Sequence, residues 1–126
     1  MDPQIDKLSE MVDEFCEDRD WRQFHNIKDL AIGLSIEASE LLQIFLWKDS
    51  EEVEATLNTP DKREHIEDEV ADVLFFLLRI AHLNDIDLQA ALKKKIIKNN
   101  LKYPVSKFKG SNKKYNEIQD DRIPKK

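Results

Sequence analysis

The chain has 126 residues, with 26 Asp+Glu against 20 Lys+Arg, a formal net charge of −6, two glycines and one cysteine. That length suits one domain with a real core. Two glycines exclude a Gly-rich phosphate loop, a dinucleotide fingerprint and a hairpin-rich β fold, and one cysteine excludes an intramolecular disulfide or a Cys-based zinc site. The N-terminal MDPQIDKLSE lacks the basic-then-apolar layout of a signal peptide. The longest apolar run, residues 73–78, is too short to span a bilayer. An all-α, soluble, cytoplasmic domain with no membrane partner is the expectation.

Apolar spacing predicts four main helices. The first covers residues 4–18, with Ile5, Leu8, Val12 and Phe15 at helical intervals and Pro3 suited to its start. An aromatic-rich connection, DWRQFH (20–25), leads to a second helix over 27–47. A short acidic helix is expected over 50–57, with Asp49 as its cap. Thr59-Pro60 breaks the chain and caps the third helix, which runs to about residue 83. The fourth covers 88–102 and ends at Tyr103-Pro104. Residues 1–104 read as one domain and 105–126 as a polar tail, partly ordered at most, with seven Lys/Arg against three acids. Such a tail is more often a solvated end than a nucleic-acid contact, so no nucleic-acid partner is expected.

Two helices carry carboxylates on the wrong face. At 100° per residue the second helix has an apolar arc of Leu30, Leu34, Leu41, Ile44 and Phe45. Glu37 falls near the middle of that arc and Glu40 at its edge, one turn later. A buried carboxylate without a partner costs several kcal/mol, so Glu37 needs a cation, a proton or a donor. The third helix has its main stripe along Ile66, Val70, Val73, Leu74, Leu77 and Ala81. Glu69 and Asp72, again one turn apart, lie on a second flank with His65, Phe76 and Leu83. Two such pairs facing each other make a cage of hard oxygens, and oxygen-only ligation without a nearby His or Cys favours Mg²⁺ or Mn²⁺ over zinc.

The fourth helix supplies a complement. Lys95, Asn99 and Tyr103 share the stripe of Leu88, Leu92 and Ile96, and Lys102 flanks it. A cation, an amide and a phenol so placed suit a phosphate-bearing ligand once metal has neutralised part of its charge. The plainer alternative has ExxE and ExxD arising by chance among 26 acids, Lys95 snorkelling and Tyr103 covering the core. The protein is then a non-catalytic helical metal-binding or protein-interaction module. Ferritin-like and HExxH sites fail on spacing, and no nucleophile set is recognisable.

Glu37-x-x-Glu40, a gap of 28 residues, Glu69-x-x-Asp72, and then Lys95-x-x-x-Asn99-x-x-Lys102-Tyr103-Pro104 form an ordered set. It resembles the MazG-like nucleoside triphosphate pyrophosphohydrolases. DWRQFH, ELLQIFLWK (40–48) and KYP are most similar to the dCTP pyrophosphatase branch; all-α dUTPases and phosphoribosyl-ATP pyrophosphatases stand close by. The resemblance spans roughly residues 5–116. It implies a four-helix MazG-like bundle assembling as a homodimer or dimer of dimers. It also implies Mg²⁺-dependent hydrolysis of a nucleotide such as dCTP, or a modified dCTP, to the monophosphate and pyrophosphate. Glu37, Glu40, Glu69 and Asp72 would hold metal, with Mn²⁺ a possible substitute. Lys95, Asn99, Lys102 and Tyr103 would face phosphates and sugar, and Trp21, His25 and Trp47 would surround the base. Glu40 would accept the proton of the attacking water, and Lys95 would offset developing charge. Many MazG domains read EExxE; Ile36 stands at the first position here, which bears on substrate rather than on activity.

Overall fold

The computed structural model describes residues 3–114 and residue 116. Tyr115 and residues 117–126 of the expected tail lie outside the described residues. Among the described residues six helices follow in order: α1 (Pro3–Asp18), α2 (Ile27–Ile44), α3 (Ser50–Asn58), α4 (Pro60–Leu83), α5 (Leu88–Lys102) and α6 (Val105–Phe108), with one 3₁₀ turn at Arg22–Phe24. No strand occurs among the described residues. None of the helices is long and apolar enough to cross a membrane. Cα packing divides the chain into two compact units, Met1–Asp87 and the part from Leu88 onward.

Local chemistry sets the helix ends. Asn26 caps α2: its Oδ1 accepts the Asp29 N–H at 2.9 Å, while its Nδ2 donates to Asp29 Oδ2 at 2.7 Å. Asp49 caps α3 as expected, accepting the Glu52 N–H at 2.9 Å. Thr59 precedes α4, but its hydroxyl donates to the Ala55 carbonyl at 2.8 Å and so closes α3 instead. The start of α4 rests on Pro60, whose fixed φ suits the first helical position. The second helix also stops three residues short of the expected Trp47. Phe45 N–H bonds back to Leu42 O, the Lys48 ammonium caps the Ile44 carbonyl, and Trp47 turns the chain at φ 62°. Gly110 takes one further left-handed position at φ 75°, and aspartates take two more, Asp20 at φ 55° and Asp85 at φ 51°. Their short polar side chains tolerate that region better than most.

In the first unit α4 is central, and α1, α2 and α3 all pack on it. The expected stripe of α4 is buried only in part: Ile66 and Ala81 are buried, together with Glu69, Leu78 and Arg79 outside it, and Val73 is half-buried, whereas Val70, Leu74 and Leu77 are exposed. In α2 the expected arc holds: Leu30 is buried, and Leu34, Leu41, Ile44 and Phe45 are half-buried. One close approach fixes the α2–α4 pair. A Cβ on Gly33 would sit 2.4 Å from Cε1 of Phe76, so only glycine admits the ring there. Its helix-propensity cost of about 1 kcal/mol is offset by the packing it permits. In the second unit the Tyr103 and Phe108 rings meet edge to face, with centroids 4.9 Å apart across Pro104.

The α1–α4 seam is held by a buried cation that the periodicity did not single out. Arg79 is 0% exposed. Its Nη1 donates to Asp13 Oδ1 at 2.6 Å, its Nη2 to Glu17 Oε1 at 3.4 Å and its Nε to His25 Nδ1 at 3.0 Å. Burial and the guanidinium beside it hold the His25 imidazole below its usual pKa, so it is neutral and able to accept. Cys16, fully buried, packs as a small core residue one turn from Asp13. Arg79→Met strands two acids and an imidazole, and stability is expected to fall by about 2–4 kcal/mol. Urea denaturation measures this; an unchanged midpoint contradicts the clamp.

Candidate metal centre and flanking clefts

The α2–α4 pairing brings three of the four expected carboxylates together. Glu37, Glu40 and Glu69 each present an oxygen within 4.8 Å of the others. Glu69 is 8% exposed, Glu37 is half-buried and Glu40 is exposed. Oε2 of Glu37 and Oε2 of Glu69 are buried without a hydrogen-bond partner. Converging carboxylates with unsatisfied oxygens lack positive charge, and an all-oxygen donor set of this kind fits a hard divalent cation. Asp72, three residues beyond Glu69 on α4, lies outside the trio, although its charge acts on Glu37.

Two clefts open on this trio. One, of about 650 Å³, is mainly apolar; Phe15, Trp21, Phe75 and Phe76 line it, with Glu37 and Asp72 at its wall. Phe15 packs edge to face on both Trp21 and Phe75, at 5.6 and 5.8 Å between centroids. The Trp21 N–H bonds to the Cys16 carbonyl, which fixes the tryptophan at the end of α1. The other cleft, of about 620 Å³, is polar and lies among α2, α3 and α4. Glu40 and Glu69 line it together with Lys48, Asp61, Lys62 and His65.

The remaining expected residues are placed as follows. Trp21 faces the apolar cleft. His25 lines neither cleft and is engaged by Arg79. Trp47 is 90% exposed and also lines neither. Lys95, Asn99, Lys102 and Tyr103 lie on or just after α5, in the second unit. His65, placed by helical spacing on the flank of Glu69 one turn before it, lines the same cleft but is not among the clustered ligand oxygens. Lys62, on the turn before, also lines that cleft.

Burial, first, and the nearby Glu40 and Glu69 carboxyls and Asp72 charge push the Glu37 pKa up to about 7. The metal-free fold therefore binds a proton that the unfolded chain releases near pH 4.5. Stability from this group is fully present below that pH and is lost as pH rises through about 7. Glu37→Gln is expected to stabilise the metal-free protein at pH 8 by about 1–3 kcal/mol, while reducing the stabilisation that Mg²⁺ confers on the wild type. Thermal unfolding from pH 5 to 8, with and without Mg²⁺, reads both effects. Equal Mg²⁺ shifts in the two proteins contradict the trio as a cation site.

Comparison with known proteins places this geometry. The profile of the MazG-like family matches residues 32–118. The chain is 32% identical over 117 residues to dCTP pyrophosphatase 1 of Bos taurus, covering 93% of this chain and 69% of that protein, and equally to the Homo sapiens protein of the same name. A crystal structure of a pyrophosphatase from Archaeoglobus fulgidus superposes with a TM-score of 0.76 at 36% identity, covering 82% of this chain and 95% of that one. The α2–α4 carboxylates fall inside the matched region. The chain belongs to the MazG-like family, as a relative of dCTP pyrophosphatase 1.

Proposed function

We propose that the protein is a nucleoside triphosphate pyrophosphohydrolase that uses Mg²⁺ to hydrolyse dCTP, or a modified dCTP, to the monophosphate and pyrophosphate. The observation that carries this reading is the converging trio Glu37, Glu40 and Glu69, with two buried, unpartnered oxygens, beside an aromatic cleft. The relatives named dCTP pyrophosphatase 1 support this chemistry and this base, and the structural neighbour is named a pyrophosphatase.

Glu37, Glu40 and Glu69 would hold the metal, with Asp72 as a fourth acid toward the apolar cleft. A bound divalent ion there supplies charge neutralisation, polarisation of the phosphoryl group and acidification of water. The rest is the work of the chain. Trp21 and the phenylalanines around it offer flat faces for the base, with stacking worth about 1–3 kcal/mol. Glu40, the most exposed member of the trio, accepts the proton of the attacking water. The water oxygen bonds to Pα, and the bond from Pα to the bridging oxygen breaks with its electron pair on pyrophosphate. Lys95 and Lys102, with Asn99 and Tyr103, complete the contacts to phosphate and sugar, as the family resemblance implies. His25 acts beneath the base, holding the connection that bears Trp21, and Trp47 serves the base only if a second copy brings it there.

The assembly is a homodimer or dimer of dimers. Ile32 and Ile36 on α2 and Val70 and Leu74 on α4 are apolar and exposed, which favours burial against another copy. Residues 1–104 form the catalytic domain and 105–126 a basic tail, and the free, buried Cys16 suits the cytoplasm. Assays of dCTP, dUTP, dATP and dTTP with both products measured are expected to show Mg²⁺-dependent release of pyrophosphate, fastest from dCTP. Glu69→Gln is expected to lower the rate at least about 100-fold without unfolding the protein. Wild-type protein inactive on all four, or a fully active Glu69→Gln, overturns the function. Light scattering after size exclusion should report two or four chains; a monomer at micromolar concentration contradicts the assembly.

A further inference from the structure

We infer that Arg79 is the positioning residue of the aromatic wall of the apolar cleft. Acting through Nδ1 of His25, it holds the connection between α1 and α2 so that the Trp21 ring stands in the cleft before a nucleotide arrives. The inference rests on the nucleotide-cleaving function proposed above and adds to it what sets affinity for the nucleoside half. Burial does not fix this wall: residues 17–24 are all exposed, and Trp21 itself is 38% exposed. Within the connection the backbone makes one short 3₁₀ turn, with the Phe24 N–H on the Trp21 carbonyl and the His25 N–H on the Arg22 carbonyl. An exposed turn with so few buried contacts opens locally at low cost unless its ends are tied down.

Both ties are polar. At the near end the Trp21 backbone N–H bonds to the Cys16 carbonyl at 3.1 Å. At the far end His25 is half-buried, and its Nδ1 accepts the Nε–H of the wholly buried Arg79 at 3.0 Å. The His25 ring meets the Trp21 ring edge to face, with centroids 6.3 Å apart. Guanidinium, imidazole and indole thus run in sequence from the core to the cleft. Phe75 and Leu78, one turn and one residue before Arg79, line that cleft, so one stretch of α4 carries both its floor and the tie. A guanidinium can only donate, so the bond leaves the imidazole proton on Nε2 and selects one neutral tautomer. Stability alone does not call for this arginine, because apolar residues of similar volume often match or better a buried ionic cluster. What they cannot supply is a directed donor to His25 with Nη1 and Nη2 tied back to Asp13 and Glu17 on α1. The planar fork holds the end of α1 and the end of the connection together, with Trp21 between them.

Steady-state kinetics on dCTP at saturating Mg²⁺, with calorimetry of dCMP binding, test this on the full chain. The variant is Arg79→Met/Asp13→Leu/Glu17→Met, which removes the arginine without stranding its acids. KM should rise and dCMP affinity fall about tenfold, while kcat stays within about threefold and Mg²⁺ still stabilises the protein. ¹⁵N NMR of the His25 ring should show the Nε2–H tautomer in wild type and a mixture of tautomers in the variant. Should that variant not fold, two single substitutions carry the test. His25→Leu should raise KM as far, and His25→Asn, whose Oδ1 takes the place of Nδ1 as acceptor, should recover most of the loss. A folded triple variant with the KM of wild type, or one that loses kcat instead, overturns the inference alone. So does His25→Asn no better than His25→Leu, or a wild-type imidazole with its proton on Nδ1. Wild type that cleaves none of dCTP, dUTP, dATP and dTTP overturns the function and this inference together.

Discussion

Three carboxylates pressed together, one of them buried and one half-buried, govern this structure. Gly33 lets the Phe76 ring lie where a Cβ would be, so α2 and α4 pack closely. That packing confines Glu37, Glu40 and Glu69 to one small volume. A protein interior of low effective dielectric makes such proximity costly. The fold meets the cost without a cation by holding Glu37 protonated up to about pH 7. A divalent ion meets it better, and the site is organised as though for one. Metal affinity and pH are therefore linked through a proton that the ion displaces.

The same helix shows what a satisfied buried charge looks like. Arg79 is wholly inside, yet its Nε and both Nη atoms have partners on α1 and in the connection that follows it. It is a clamp, and it seats the segment bearing Trp21 against the apolar cleft. Ten residues earlier on α4, Glu69 is nearly as buried but has an oxygen with no partner. One charge is compensated within the chain; the other keeps a buried oxygen with no hydrogen-bond partner.

Much of this was legible in residue order. Glu37 in the middle of the arc from Leu30 to Phe45 is anomalous by helical geometry alone, and the structure brings it to Glu40 and Glu69. Other features depended on tertiary packing. Val70, Leu74 and Leu77 form a convincing stripe at helical spacing, but α1, α2 and α3 pack around another side of α4 and leave it exposed. Arg79 could not be recognised as core, because its partners Asp13, Glu17 and His25 lie more than fifty residues away. Thr59 stands between two helices, and spacing does not tell which of them its hydroxyl serves. Trp47 reads as the last helical residue, yet the chain must reverse there to begin α3, and it adopts a left-handed conformation to do so. The two glycines first excluded a backbone cradle for phosphate. In its place the structure offers acids for a cation on one wall and lysines on another.

The central claim is that a nucleoside triphosphate is cut at Pα beside the carboxylate trio. Hydrolysis of dCTP in ¹⁸O-labelled water with Mg²⁺, followed by mass spectrometry of both products, tests it most directly. One labelled oxygen is expected in dCMP and none in pyrophosphate. Label in pyrophosphate, or release of orthophosphate and dCDP, would contradict it.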